Sequence, residues 1–385
     1  MVFRKHVMPL LGTIAGDIIG APYELKGTRI KHLDFQLFVN TPTFTDDTVL
    51  SLAIAQWIIS DGLDLKDIVL SICRNYMHVG YGHSFKGWLR SEKPKPYQSF
   101  GNGSAMRVSS IGTFASNINS ALNLAERSAI ITHNHIEGIK GAQAVTIAIH
   151  LAYNGFPKNF IKEYIQNKFK YNLSRSIEEI RKTYSFDSSC QGSVPEAIIA
   201  FIESHSVEHA IRLAISLGGD ADTQASIAGA IAAAYYKEIP TNILNRITDC
   251  LTYDLYKILD DFNNIELPKQ EKSIFTLRAK QDVYLNGEVR YRFALATTDH
   301  IQVLIPKDTM LYIETIGSKC VYCKILTHKE QISQNIEREL GKKYAELKDD
   351  YEYLCNGIAL TPALSELYEF YVRDSTTDDI LRFLD

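Results

Sequence analysis

Two structural classes are predicted within one chain: an all-α domain over residues 1–262 and a smaller α+β domain over residues 273–385, joined by a linker at 263–272. Three observations carry this reading. Apolar residues recur at helical spacing through the first part of the chain; that period stops at Asp260–Lys272, where charged residues surround Pro268; and apolar residues alternate with a period of two beyond it. A chain of 385 residues is long enough for about two such units.

Taken in order, Arg4-Lys5 followed by Val7–Ala21 has the outline of a secretory leader, but Asp17 interrupts its apolar run. No run in the chain reaches the length of about 20 apolar residues that spans a bilayer. Gly16–Glu24 reads as a turn, or as a helix end stopped by Gly20 and Pro22. After Thr45-Asp46-Asp47-Thr48, the side chains of Leu50, Ile54, Trp57 and Ile58 share one helical face. A helix is predicted to start near Ala105. Further helices are predicted over Leu65–His78, Ala121–Ile131, Glu137–Ala152, Pro195–Glu203, Val207–Leu217, Asp222–Tyr236 and Asn242–Leu259.

Beyond the linker, Val283–Leu285 and Val289–Leu295 flank Asn286-Gly287, the dipeptide of a tight hairpin turn. Ile301–Ile305, Leu311–Ile316 and Val321–Leu326 read as further strands, and Gln331–Leu354 and a segment near Ala363–Val372 as helices. Cys320-Val321-Tyr322-Cys323, with His328 and Cys355, is half of a zinc arrangement; without a second C-x-x-C pair, ordinary strand cysteines are the simpler reading.

A formal charge of -4 gives no overall positive field to draw the protein to nucleic acid or to an anionic membrane. Six cysteines in so long a chain do not make a disulfide scaffold, which fits a reduced, cytoplasmic compartment; a leaderless secretion route is compatible with the same sequence.

Chemistry concentrates in four segments. Thr45-Asp46-Asp47-Thr48 and Gly218-Gly219-Asp220-Ala221-Asp222-Thr223 each join two carboxylates to a threonine hydroxyl, the oxygen donors that hard divalent cations take. Each also precedes a predicted helix, where acids complement the helix dipole without any metal. Gly101-Asn102-Gly103-Ser104-Ala105-Met106-Arg107 can cradle an anion on backbone N–H groups, or be a plain glycine-rich turn. Glu24 adds an acid near a turn.

Those segments, with Thr132-His133, stand in the order of the ADP-ribosylglycohydrolase family, which residues 1–262 resemble. The resemblance implies an all-α domain with two Mg²⁺ ions, or Mn²⁺, in a cleft that takes ADP-ribose. It implies Thr45, Asp46, Asp47, Asp220, Asp222 and Thr223 as metal ligands, and Glu24, Asp46, Asp47 and Asp222 as catalytic groups. Ser99, Phe100, Gly101, Asn102, Gly103, Ser104 and His133 would bind substrate. Phe100 stands where the family often has Tyr, and Ala221 where Thr is common. His133 and His135 form a histidine pair without a third ligand, for which ordinary hydrogen bonds are the simpler reading.

The implied activity is metal-assisted hydrolysis at C1″ of the distal ribose, removing ADP-ribose from a modified protein, with arginine as the favoured acceptor. The alternative is an ADP-ribose-binding or immunity module that occludes a toxin without turnover. The C-terminal residues are expected to recruit a partner, such as a toxin or effector, or the modified substrate; nucleic acid is expected only as a modified substrate.

Overall fold

Residues 8–20 carry so few polar side chains that they belong inside a protein, and in the computed structural model they form helix α1 (Met8–Gly20), buried along nearly its whole length with Asp17 included. The structure describes residues 2–39, 41–60, 64–270, 274–290, 298–316, 321–325, 328, 331, 332, 334, 358–360 and 368–373. After α1 come α2 (Asp46–Ile59), α3 (Leu65–Cys73), α4 (His83–Arg90), α5 (Ser109–Phe114), α6 (Ile118–Ile130) and α7 (Ile136–Tyr153). There follow α8 (Lys158–Phe169), α9 (Ile177–Thr183), α10 (Cys190–Glu203), α11 (Val207–Ile215), α12 (Ala221–Tyr236), α13 (Thr241–Asp249) and α14 (Tyr253–Asn264). Contacts group the chain into two units, one of residues 1–156 and 171–270, the other of 157–170 and 271–385.

The first unit is all-α, as its periodicity predicts. Side chains at the helix starts satisfy backbone N–H groups: Thr45, Asn117, Ser189 and Ser206 cap α2, α6, α10 and α11, and Ser176 forms a capping box with Glu179 on α9. At the centre, α1 and α12 run antiparallel with backbones almost touching. A Cβ placed on Gly12 would lie 2.3 Å from the Gly229 carbonyl oxygen, and one on Gly16 would lie 2.2 Å from the backbone of Ala225. On Gly20 it would meet Asp222 Cα at 2.6 Å. Only glycine at these one-turn intervals permits the approach.

Several boundaries differ from the sequence reading. The helix predicted over Leu65–His78 ends at Cys73 and tightens into a 3₁₀ turn at Arg74–Tyr76. Asn242–Leu259 is two helices, because Thr252 adopts an extended conformation, held by the Tyr76 hydroxyl at 2.5 Å, and starts α14 anew. That helix runs on to Asn264, into the stretch read as a break. No helix starts at Ala105; a 3₁₀ turn at Asn102–Ser104 is followed by α5. Pro195 lies inside α10 rather than at its start. Gly16 to Gly20 is the last part of α1, and Ala21–Tyr23 a 3₁₀ turn, so the helix-end reading of that segment holds.

In the second unit, strands β1 (Ile274–Ala279), β2 (Val283–Arg290), β3 (Thr298–Ile305), β4 (Met310–Ile316), β5 (Val321–Ile325), β6 (Ile358–Leu360) and β7 (Tyr368–Arg373) are described. Five form an antiparallel sheet in the order β6-β5-β4-β1-β7, and β2 and β3 pair with each other. Helix α8 belongs to this unit and lies against β7. The predicted Asn286-Gly287 turn is not there: both residues sit inside β2, paired with Gln302 and Ile301, in a ladder whose length outweighs the local turn preference. Residues 368–372, read as part of a helix, are strand. Most of the helix predicted over Gln331–Leu354 lies outside the described residues, as do Cys320 and Cys355. Cys323 is a buried thiol in β5, and His328 Nδ1 lies 3.2 Å from Thr309 Oγ1.

Candidate functional site

The close approach of α1 to α12 places Asp17 of one beside Asp222 of the other, and α2 is docked onto both. Asp17 Oδ2 accepts from Thr45 N (2.9 Å), Thr48 N (3.1 Å) and Thr48 Oγ1 (2.5 Å), and its Oδ1 accepts from Thr45 Oγ1 (2.6 Å). These bonds satisfy orphan N–H groups at the start of α2 and set the direction of Asp46 and Asp47. Carboxylate oxygens of Asp17, Asp47 and Asp222 lie within 4.8 Å of one another, and so do those of Glu24, Asp220 and Asp222. Asp222 belongs to both groups.

The loop before α12 is held for this purpose. Gly218 has φ +66°, in the left-handed region, and Lys31 Nζ donates to the carbonyl of Leu217 just before it and to that of Tyr184 at the end of α9. Asp222 Oδ1 accepts from Thr223 N at 2.8 Å, and Thr223 Oγ1 donates to Asp47 Oδ2 at 3.2 Å. Asp47 Oδ1 is buried with no hydrogen-bond partner. Such an orphan is costly unless a ligand completes it.

Burial pushes Asp47 and Asp222 well above the usual carboxylate range, and neighbouring carboxylates add to the shift. Asp46 is pushed up to about 7, by burial first and then by Asp17, Asp220 and Glu24. Glu24 is raised by burial and by Asp220, with Arg29 opposing. So many carboxylates at one place need protons or cations, and an oxygen set of this kind fits a divalent cation.

The opposite wall is the glycine loop. Asn102 Nδ2 donates to Asp220 Oδ2 (2.8 Å) and to Ser193 Oγ (3.1 Å), tying the loop to the acids. Ser99 Oγ accepts from Gly101 N at 3.2 Å. Between the walls lies a cavity of about 460 Å³, in the range of small-molecule sites. Glu24, Thr45, Asp46, Asp47, Asp220, Asp222 and Thr223 line one side, and Ser99, Gly101, Asn102, Gly103 and His133 the other. Two of the predicted residues do not line it. Ser104 is fully buried and donates to the Gly138 carbonyl at 2.7 Å, and Phe100 is half exposed with its ring edge-on to His135. His135 caps α7, and His133 Nδ1 bonds Thr132 Oγ1, so both imidazoles make ordinary hydrogen bonds.

The sequence reading gave Asp17 and Arg107 no role in the site, although both stand in segments it singled out. An acid in the middle of an apolar helix is the signal that pointed to the first, since a buried carboxylate needs partners.

The ADP-ribosylglycohydrolase family model matches residues 3–272. The chain belongs to the ADP-ribosylglycohydrolase family. Among curated relatives of this chain, the ADP-ribosylhydrolase ARH3 of Mus musculus is 26% identical, over 66% of this chain and 91% of that protein. The ADP-ribosylarginine hydrolase Tri1 of Pseudomonas putida (strain GB-1) is 27% identical, over 59% of this chain and 69% of that protein. In fold the chain is similar to a solved structure titled ADP-ribosylglycohydrolase-related protein complex. The TM-score is 0.52 at 23% identity, covering 67% of this chain and 96% of that one.

Proposed function

We propose that this family member is a Mg²⁺-dependent ADP-ribosylhydrolase that cleaves the bond at C1″ of the distal ribose and frees a modified protein, with arginine as the acceptor. The observation that carries the reading is the pair of three-carboxylate groups sharing Asp222, set across a cavity from the Gly101–Gly103 loop. Arginine is favoured by the name of the Pseudomonas relative and by the acidic wall, which suits a departing guanidinium.

In this reading Thr45, Asp46, Asp47, Asp220, Asp222 and Thr223 hold two Mg²⁺ ions, with Mn²⁺ able to use the same oxygens. The orphaned Asp47 Oδ1 and the raised carboxylates fit that charge. When bound, such ions supply Lewis-acid stabilisation of negative charge and a template for ribose hydroxyls. The protein's own groups do the rest. Gly101 and Gly103 let backbone N–H groups approach a diphosphate, and Ser99 and Asn102 hold the loop in shape. Ser104 acts from behind by anchoring the loop, and Phe100 at the rim packs against a sugar or base. Glu24, which burial and Asp220 make a weaker acid than usual, is suited to pass a proton at the reacting bond, with Asp46, Asp47 and Asp222 nearby.

The domain partition belongs to the same proposal: residues 1–262 catalyse, 263–272 connect, and 273–385 recruit the modified target or a protein partner. Substitutions confined to 273–385 that spare turnover of a small conjugate and abolish that of a modified protein support the role; equal turnover of both removes it.

The deciding experiment measures free ADP-ribose released from arginine, serine and DNA conjugates, with Mg²⁺, with EDTA and with Asp46→Ala. Metal-dependent release from the arginine conjugate, lost in the variant, is expected. Release only from serine or DNA overturns the acceptor, and release unaffected by EDTA or by the substitution overturns the metal assignment.

A further inference from the structure

A buried guanidinium stands behind the glycine loop. Arg107 is fully buried and makes no ion pair among the described residues. Its Nη2 donates to the Ser128 carbonyl, in the last turn of α6, and to Thr132 Oγ1 at 3.2 Å, while Nε and Nη1 have no partner. The negative end of α6 accounts for a cation at this place in part. What the cation does to the two residues that follow α6 is more specific.

Arginine can only donate, so Thr132 Oγ1 accepts from it. Thr132 is fully buried and has a hydroxyl proton of its own to place. The other polar atom bonded to that oxygen is His133 Nδ1, at 2.7 Å. The hydroxyl therefore donates to Nδ1, which must be the lone-pair nitrogen, and the ring proton sits on Nε2. Burial, and then the Arg107 charge, hold His133 well below the ordinary imidazole value, so the ring carries one proton and not two.

Nε2 makes no hydrogen bond with the described residues and faces the loop. A Cβ built on Gly103 would lie 3.3 Å from it, and one built on Gly101 would lie 3.7 Å away. His133 lines the cavity at this point. We infer that Arg107 and Thr132 are positioning residues that fix His133 in the tautomer protonated at Nε2, so that the ring offers an N–H donor, and never a lone pair, to a ligand oxygen held on the Gly101–Gly103 loop. The other tautomer would aim a lone pair at an anionic ligand and repel it. The identity of that ligand rests on the proposed ADP-ribosylhydrolase reading; the tautomer does not.

The test is ¹⁵N NMR of the full-length protein labelled at histidine, first without ligand and then with ADP-ribose as the probe. His133 is expected to carry its proton on Nε2 in the free protein, and that resonance to shift when ADP-ribose binds. Thr132→Val keeps the shape and removes the hydroxyl. It should let the proton redistribute between the two nitrogens and weaken ADP-ribose binding about tenfold. Thr132→Ser should restore both, a rescue that a packing role for the methyl group would not give.

A wild-type ring protonated on Nδ1 overturns the inference whether or not any variant folds. So does a folded Thr132→Val protein that keeps both the Nε2 proton and wild-type affinity. If wild type binds no ADP-ribose at all, the functional reading fails, and the ligand-free spectrum still decides the tautomer.

Discussion

Asp17 accepts four hydrogen bonds from Thr45 and Thr48, three of them on Oδ2, which makes its carboxylate the anchor of α2. Asn in its place offers one acceptor oxygen and turns an NH₂ group on the remaining donors. Asp17→Asn is expected to cost about 1–3 kcal/mol in urea unfolding and to weaken Mg²⁺ binding. Asp222 contrasts with it. It is crowded by carboxylates, so in EDTA the Asp222→Asn protein is expected to be at least as stable as wild type, yet to lose the rise in Tm that Mg²⁺ gives and all turnover. A destabilised variant that still responds to Mg²⁺ would make Asp222 a structural residue. Imidazoles supply a pH prediction. Burial lowers the pKa of His150, so it stays neutral in the fold, while the unfolded chain takes up that proton below about pH 6.5. The unfolded state then binds more protons, and this residue's contribution falls as pH drops through that value. His150→Asn should flatten that part of the acid dependence of urea midpoints; an unchanged profile would mean that the ring titrates alike in both states.

At the scale of elements, the contact of α1 with α12 sets the site, because it brings the helix bearing Asp17 against the helix whose first turn carries Asp222. Gly16→Ala would drive a methyl group to 2.2 Å from the Ala225 backbone, and backbone cannot swing aside as a side chain can. Overpacking of this kind costs about 1–3 kcal/mol. A lowered unfolding midpoint together with weaker Mg²⁺ binding is expected, and Gly87→Ala, where a Cβ would meet nothing within 4 Å, serves as the control. If both variants bind Mg²⁺ alike, the spacing of the two helices does not govern the site. Periodicity made α7 and α12 legible, since both are long and uninterrupted. For α1 it left a turn and a helix end as equal readings, because the buried Asp17 and the glycines look like a turn until a partner helix covers them. It failed for α4 and α9, which are short, and for α8, whose exposed face is largely charged and amide-bearing.

At the scale of the molecule, α8 lies between two helices of the first unit in sequence and belongs by contact to the second. Its Phe160, Ile161, Tyr164 and Ile165 are buried. A chain ending at residue 270 would lose the strands that α8 packs with, so that truncation is expected to bind a hydrophobic dye and to aggregate. A monodisperse truncated protein that binds no dye would show that α8 needs no strand partner. Among the described residues no helix is long and apolar enough to cross a membrane.

Residue type and order along the chain were sufficient for the helical class of the first unit, for its family and for most of the cavity wall, because helical period and oxygen donors beside helix starts are local properties. Thr45, Asp46, Asp47, Asp220, Asp222, Thr223 and the glycine loop were all readable in that way. Partners distant in the chain were not. Asp17 reaches Thr45 across 28 positions, Asn102 reaches Asp220 across 118, and Thr223 reaches Asp47 across 176. No local pattern records such bonds, and so folding alone turned Ser104 inward, gave Asp222 a place in both acidic groups, set Arg107 behind Thr132, and drew Asn286-Gly287 into a strand instead of a turn.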